Sequence, residues 1–244
     1  MTAGSGKMIQ PPLISVLMPT YNAMPFLPEA VDSIIAQTVT DWHLVIVDDG
    51  STDETSEYLG ALHKQLGSQL TTIWWPQNRG IVYALNEGLK VCDGLYIARM
   101  DADDISLPNR FEEQLLYLLE HPEIDGCGAS IRFFGDETRM MEFPTDPNEV
   151  RDLLFERTTV AHPTYFMHRR VYEAFQYSPD YPHAEDLEFL LRVTERFRLS
   201  SIPEVLVRYR AGQHQVSVIH SDIQRDSVQR ARAEARKRRG HGTT

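Results

Sequence analysis

The chain has 244 residues, of which 42% are hydrophobic and 24% are charged, as in ordinary globular proteins, so wholesale disorder is excluded. The net charge of −11 is uneven, because residues 221–244 carry seven basic and three acidic side chains, a net +4 that leaves −15 for the rest. An acidic body disfavours general binding to nucleic acid, and no run of about 18 apolar residues predicts a membrane span.

Short apolar runs alternate with helical periodicities through the first half of the chain. The runs predict strands at Ile14–Met18, Leu44–Val47, Thr71–Trp75 and Leu95–Met100. The periodicities predict helices at Leu27–Thr38, from Ser51 through Leu66, at Ile81–Leu89 and at Pro108–Glu120. Because the strands are almost continuously apolar, we expect an α/β fold with a mostly parallel, Rossmann-like sheet and helices on both faces.

The second half of the chain is less regular. Strands are predicted at Asp125–Phe134 and Ile202–Tyr209, with a hairpin at Arg132–Phe143. Helices are predicted at Asn148–Phe155, Arg170–Phe175 and Ala184–Phe197. With no internal repeat or linker, we expect a flexible tail over 1–11, one domain over 12–220 and a basic helix or tail over 221–244.

The cysteines and the N-terminus indicate the compartment. Cys92 and Cys127 lie in apolar or glycine-containing surroundings without the spacing of metal ligands. The segment Met1–Pro12 lacks the apolar stretch of a signal peptide. We therefore expect reduced core thiols in a cytoplasmic protein.

Three carboxylates, Asp101, Asp103 and Asp104, follow the fourth predicted strand. Alternate residues of a strand point the same way, so Asp101 and Asp103 are predicted to converge on one hard cation. Carboxylate oxygens suit Mg²⁺ or Mn²⁺, and such ions usually keep coordination positions open for substrate phosphates. The pattern favours chemistry on a nucleotide diphosphate, and the alternative is an Asp-rich turn that caps the next helix.

Polar residues also follow the first two strands, and ligands of such sheets bind beyond the carboxyl ends of the strands. Pro19 sets the chain direction and Tyr21 offers a flat face for a base, although a plain turn favours the same residue types. Asp48 or Asp49 could accept a hydrogen bond from a base or a ribose, since adjacent acids are unfavourable unless something uses them. Ser51 has the spacing of a capping box and is expected to cap the second helix.

Four further residues have both a functional and a structural interpretation. Arg79 opens the third helix, where it could contact a diphosphate or a base, or lie on the surface without a role. Asp186 opens the late amphipathic helix, where an acid normally serves the helix dipole, but a neighbouring carboxylate can raise its pKa and favour a general base. His162 and His214 are candidate ligands or acceptor contacts, although a single His is more often structural.

Six motifs resemble, in order and spacing, the family 2 glycosyltransferases of the GT-A fold. They span about residues 12–217, and they are Ile14–Asn22, Val45–Asp53, Asn78–Gly80 with Ala84–Asn86, Ile97–Asp104, Pro108–Phe111 and Ala184–Asp186. Each motif alone is moderately specific, whereas the ordered set is highly specific. The resemblance implies an inverting enzyme that moves a sugar from a nucleotide-diphosphate sugar to a hydroxyl of a glycan or lipid-linked acceptor. Uracil is the expected base, although guanine and thymine donors occur in such families.

The resemblance also implies a nucleotide site. Its residues would be Pro19, Thr20, Tyr21, Asp48, Asp49, Arg79 and Asp101. Asp49, together with Asp48, would contact the base, while Thr20 and Arg79 would line the pocket.

The same resemblance implies a divalent cation, Mn²⁺ or Mg²⁺, and a general base. Asp101 would face the ribose or the metal, and Asp103 would be the main metal ligand. Asp186 would deprotonate the acceptor hydroxyl. The family often has a His after the last strand where Gly212 stands here, so His214 would be a ligand only if this loop bulges.

Two alternatives remain at this point. The retained acids Asp101, Asp103 and Asp186 disfavour a non-catalytic protein that only binds sugar nucleotides. A nucleotidyltransferase would be expected to have a glycine-rich, basic loop after the first strand, and Pro19–Asn22 is not such a loop.

The basic C-terminal segment leaves open a peripheral contact with anionic lipid at the inner face of the membrane, the alternative being a solvated helix.

Overall fold

The computed structural model describes residues 11–212 and 221–241. The strands in this part of the chain are β1 (Ile14–Thr20), β2 (Trp42–Asp48), β3 (Leu70–Trp74), β4 (Tyr96–Arg99), β5 (Ile105–Ser106), β6 (Gly126–Gly135), β7 (Met140–Met141), β8 (Phe166–His168) and β9 (Leu199–Ala211). The α-helices are α1 (Leu27–Ile35), α2 (Thr55–Leu66), α3 (Ile81–Leu89), α4 (Arg110–Glu120), α5 (Pro147–Leu153), α6 (Arg169–Ala174), α7 (Glu185–Val193) and α8 (Ser221–His241). Every predicted strand and helix corresponds to one of these elements.

One mixed sheet joins the strands in the order β3-β2-β1-β4-β8-β6-β9-β5, with β7 paired to β6. Strand β1 runs parallel to both β2 and β4, and β2 runs parallel to β3. The register aligns Thr20 with Asp48, and Asp48 with Trp74. Because the strands are parallel, their carboxyl ends and the loops that follow lie at one edge of the sheet. The predicted α/β fold is thus confirmed.

Alternation along the central strands divides the core into two layers. Val16 and Met18 of β1 pack on one face of the sheet with α1, α2 and α4. Leu17 packs on the opposite face with α3, α7 and α8. Because these strands are buried on both faces of the sheet, their sequences are continuous apolar runs.

Helix α8 packs on the body of the protein. Ala231 and Ala235 are almost completely buried in the same layer as α7. Around them, Arg238 pairs with Glu195 at 2.7 Å and Arg239 pairs with Asp152 at 3.3 Å. The basic segment is therefore a docked helix whose cations meet the acidic body. None of the helices in the described parts of the chain has the length and apolar character needed to cross a membrane.

Two local predictions are wrong. Helix α2 begins at Thr55, and Ser51 does not cap it, because the Ser51 hydroxyl accepts a hydrogen bond from the Asn22 backbone N–H at 2.9 Å instead. Asp53 accepts the N–H groups of Thr55 and Met24, so the loops after β1 and β2 are bound to each other. Strand β4 ends at Arg99, so the acids that follow lie in a turn and do not alternate along a strand.

Candidate active site

Asp48 ends β2 and is completely buried. One carboxylate oxygen accepts the Ser51 backbone N–H at 3.0 Å, and the other accepts the Ser56 hydroxyl at 3.2 Å. These bonds tie the end of the strand to the first turn of α2, so Asp48 has a structural function in this fold.

Asp49 joins two of the strand-end loops. Its backbone N–H donates to the Thr20 carbonyl at 2.9 Å, while its carboxylate accepts the backbone N–H groups of Arg79 at 2.6 Å and Gly80 at 2.8 Å. These two groups open α3, and a carboxylate there also favours the positive end of the helix dipole. Gly50 follows with φ +77°, and an added Cβ would lie 2.5 Å from the backbone of Gln77. Hydrogen bonds therefore join Thr20, Asp49 and Arg79 at this edge of the sheet.

The Arg79 side chain lies over aromatic rings. Its guanidinium carbon is 4.5 Å from the centre of the Trp75 ring and 5.6 Å from that of Tyr83. Cation–π contacts of this kind hold a guanidinium in place while leaving its N–H groups free to donate. Tyr21 is half exposed nearby in the chain, and the buried Thr20 hydroxyl has no hydrogen-bond partner among the described residues. Pro19 lies inside β1 opposite Val47.

The end of β4 contains a buried arginine that sequence reasoning missed. Arg99 is 1% exposed, and its guanidinium pairs with the Asp101 carboxylate at 2.5 Å. Within the described parts of the chain, its Nε and Nη1 atoms have no hydrogen-bond partner. A buried cation with unused donors is costly unless a nearby anion compensates it. Arg99 thus indicates that negative charge belongs at this edge of the sheet.

The turn after Arg99 concentrates negative charge. Burial, and then the neighbouring Asp101, raise the pKa of Asp103 to about 6. Burial, Asp101 and Asp103 together raise the pKa of Asp104 well above its usual range. Asp104 accepts the Arg210 backbone N–H at 2.7 Å with one oxygen, and its other oxygen is buried without a hydrogen-bond partner among the described residues. A cation bound here would offset the unfavourable ionisation of Asp103 and Asp104.

The donor chemistry of this turn fits a divalent cation. Oxygen ligands suit Mg²⁺ or Mn²⁺, which are often held by one or two carboxylates together with substrate phosphates. No set of three His, Cys, Asp or Glu side chains within residues 11–212 and 221–241 is arranged to hold a metal on its own. Asp101, Asp103 and Asp104 are the carboxylates of this turn, and His214 lies outside the described residues.

The start of α7 brings two more acids to the same region. Burial, and then Asp186, raise the pKa of Glu185 to about 7. Burial raises the pKa of Asp186, although its hydrogen bond from the Leu187 N–H at 2.7 Å and the charge of Arg99 oppose this effect. The charges of Arg99 and Asp101 both affect the pKa of Asp186, so the end of β4 and the start of α7 are electrostatically coupled. The Asp186 side chain also lines a surface pocket between α7 and α8.

His162 is held by tyrosines. Its Nε2 atom lies 3.0 Å from the Tyr177 hydroxyl, and its ring packs against that of Tyr165. Burial, and then the charge of Arg99, lower the pKa of His162 well below its usual range. His162 is thus a buried, neutral residue close to Arg99, in line with the structural interpretation of a single His.

Comparisons with known proteins show the family of this chain. The profile of Glycosyl transferase family 2 matches residues 15–175. An uncharacterized glycosyltransferase of Haemophilus influenzae is 32% identical over 91% of this chain and 82% of its own length. The amylovoran biosynthesis glycosyltransferase AmsE of Erwinia amylovora is 31% identical over 84% of this chain and 79% of its own length. The chain belongs to glycosyltransferase family 2, and it is a glycosyltransferase.

Solved structures share the fold. S. aureus TarS residues 1–349, in complex with UDP, superposes with a TM-score of 0.72 at 19% identity, over 91% of this chain and 64% of that one. The mannosyltransferase PcManGT of Pyrobaculum calidifontis, in complex with GDP-Man and Mn²⁺, superposes with a TM-score of 0.70 at 19% identity, over 94% of this chain and 65% of that one. The present chain therefore spans somewhat less than two thirds of these structures.

Proposed function

We propose that this protein is an inverting, metal-assisted transferase that moves a sugar from a nucleotide-diphosphate sugar to a hydroxyl of a glycan or lipid-linked acceptor. The observation that carries the proposal is Arg99, a buried cation that pairs with Asp101 and also influences Asp186. These contacts support a single site that contains both the acids of the expected cation site and the expected base. A transferase that uses a metal-bound leaving group and a separate base needs such an arrangement.

The donor side of the site follows from the strand-end loops. Thr20, Asp49 and Arg79 are joined by hydrogen bonds, and Arg79 is held over Trp75 with donors available for a diphosphate or a base. The solved relatives are complexes with UDP and UDP-GlcNAc in one case and with GDP-Man in the other. We favour a UDP-sugar here, with Asp48 supporting the loop and Tyr21 at the rim.

Each acid has a distinct role in the proposed reaction. Asp101 and Asp103 would hold Mn²⁺ or Mg²⁺, and the ion would supply charge that neutralises the nucleotide diphosphate as it leaves. Asp186 would accept the proton of the acceptor hydroxyl, and its raised pKa brings its basicity closer to the working pH. Leu187 N–H orients the Asp186 carboxylate through its hydrogen bond. Attack from the side opposite the leaving group inverts the anomeric centre.

Calorimetric titration tests the donor site. UDP, GDP and TDP would each be titrated with and without Mn²⁺ into the wild type and the Asp103→Ala variant. We expect metal-dependent binding of UDP, which the variant loses. The matched control is Asp41→Ala, which removes an exposed carboxylate before β2, at the opposite edge of the sheet. Equal binding by Asp103→Ala and Asp41→Ala would contradict the cation site, and tighter binding of GDP or TDP would reassign the base.

An Asp186→Asn variant separates binding from catalysis. We expect it to bind UDP and Mn²⁺ as the wild type does but to lose at least a hundredfold of its transfer rate, because general base catalysis typically contributes this much. Release of UDP from a UDP-sugar in the presence of an acceptor glycan is the measurement. Undiminished transfer by the variant would remove Asp186 from the mechanism, whereas donor binding without transfer by the wild type would favour the non-catalytic alternative.

A further inference from the structure

The pocket beside Asp186 is built partly by the C-terminal helix. It has a volume of about 390 Å³, and α8 contributes Gln224, Arg225 and Arg232 to its wall. The Gln224 side-chain amide donates to the His183 carbonyl at 2.8 Å, which ties the first turn of α8 to the loop that precedes α7. The position of α8 against the expected base is therefore fixed by a direct contact as well as by apolar packing.

The two arginines of this pocket differ from the other cations of α8. Arg230 donates to the Asp180 carbonyl, Arg238 pairs with Glu195, and Arg239 pairs with Asp152. These contacts hold the helix on the body. Among the residues that the structure describes, Arg225 has a single ion pair, a 3.3 Å contact with Asp222, and both side chains are strongly exposed, so this pair is weak.

Arg232 is half-buried and has donors to spare. Its Nε atom donates to the Leu154 carbonyl at 2.9 Å, which holds the guanidinium at the pocket wall. Within the described residues, its two Nη atoms have no hydrogen-bond partner. Arg225, Val228 and Arg232 follow one another at intervals of three and four residues, so they lie on one face of the helix. All three line the same pocket as Asp186.

Spacing and charge define the ligand. Positions seven residues apart are about 10 Å apart along a helix, so two arginines at this spacing can hold a diphosphate or neighbouring phosphates between them. Guanidinium groups bind phosphate oxygens in a planar, bidentate way. Within the described residues Arg225 has only the weak pair with Asp222, while burial lowers the pKa of Arg232 and Glu156 opposes this effect without forming an ion pair with it. In a protein with a net charge of −11, two such cations next to a carboxylate indicate a site for an anion.

We propose that Arg225 and Arg232 recognise a phosphate or diphosphate group of the acceptor and thereby bring its hydroxyl to Asp186. The inference rests on the proposed role of Asp186, and it narrows the acceptor to a phosphorylated molecule. The arginines are positioning residues for the acceptor, and the donor site does not include them.

Binding to protein saturated with UDP and Mn²⁺ tests the proposal, since the donor site is then filled. The probes are N-acetylglucosamine 1-phosphate and its neutral counterpart, methyl N-acetylglucosaminide, titrated by calorimetry at physiological salt. We expect the phosphorylated probe to bind at least tenfold more tightly, and Arg225→Gln and Arg232→Gln each to remove most of this difference. Arg230→Gln removes the same charge from α8 outside the pocket and keeps an amide N–H that can donate to the Asp180 carbonyl, so it should bind like the wild type.

Several results would overturn the proposal. These are equal affinity for the two probes, no binding of the phosphorylated probe, and an equal loss in Arg230→Gln. Arg232→Lys keeps a charge at the pocket and should retain more affinity than Arg232→Gln, which separates anion binding from a defect in folding. A farnesyl-diphosphate-linked probe distinguishes the source, because tighter binding of it assigns a lipid-linked acceptor and equal binding assigns a phosphorylated glycan. Failure of UDP to bind at all would contradict the proposed function and not this inference alone.

Discussion

Replacing Glu185 by Gln tests the electrostatics of the site through protein stability. Glu185 lies in the first turn of α7, is 8% exposed, and has one carboxylate oxygen without a hydrogen-bond partner among the described residues. Burial, and then Asp186, raise its pKa to about 7 from the ordinary 4.5. The folded protein therefore keeps this proton at pH values where the unfolded chain has already lost it.

The raised pKa of Glu185 makes the free energy of unfolding depend on pH. Between the unfolded pKa and the folded pKa, the native state binds more protons than the unfolded state, so the free energy of unfolding falls as the pH rises. A shift of this size corresponds to an upper limit of about 3 kcal/mol at alkaline pH. Glu185→Gln removes this titration, so its free energy of unfolding should not fall for this reason as the pH rises. We expect the stability of the variant relative to the wild type to be about 1–3 kcal/mol greater at pH 8 than at pH 5.

Urea unfolding of metal-free protein at the two pH values measures this difference. Comparing the variant with the wild type at both pH values cancels the hydrogen-bonding change of the amide, which is present at both. The control is Glu204→Gln, an exposed carboxylate of β9, which should change the stability far less. An identical effect of Glu185→Gln at the two pH values would refute the reasoning that Glu185 retains a proton in the folded state.

Three further substitutions test the loops and the docked helix. Gly50→Ala places a side chain at a left-handed backbone position and against the loop at Gln77, so we expect the free energy of unfolding in urea to fall by about 1–3 kcal/mol and UDP to bind more weakly. The control is Gly60→Ala, which adds a methyl group in open space within α2 and should be neutral or stabilising. Arg99→Met leaves the neighbouring acids without their buried cation and should lower the unfolding free energy by about 3–5 kcal/mol, and an unchanged unfolding free energy would contradict this role of Arg99. Ala231→Asp buries a charge beneath α8 and should cost more than 2 kcal/mol in the same assay, about the cost of an unpaired polar group, while exposed Ala233→Asp should not.

The central fold could be predicted because its signals are local. Runs such as Ile14–Thr20 are buried on both faces, so the strand is visible as an apolar run without any knowledge of its neighbours. Tertiary contacts overrode the local signal at Ser51, whose hydroxyl is used by the loop after β1. The acids after β4 were identified correctly as a cluster, but for the wrong geometric reason, since a turn and not a strand brings them together.

The residues that sequence reasoning missed are those whose type predicts the surface. Arg99 and Arg110 are among the largest completely buried side chains, although Arg is rarely buried. Helix α8 has few apolar residues, and its docking depends on two alanines and on arginines that meet partners far away in the chain. No spacing rule within one segment contains that information. The pairing of a basic helix with an acidic body was visible only as an uneven net charge.

Arg110 shows how the fold positions the acids of the site. Its guanidinium donates to the Arg99 carbonyl at 2.9 Å, to the Gln114 side chain at 2.9 Å and to the sulfur of Met100 at 3.2 Å. These bonds attach the end of β4 to α4, while Arg99 pairs with the Asp101 carboxylate in the turn that follows. Removing Arg110 from this network would leave buried acceptors unpaired, so Arg110 fixes the end of β4 from which the acidic turn begins. Because contacts within the chain already hold this turn, the cation and diphosphate of the proposed function would require little reorganisation of the site.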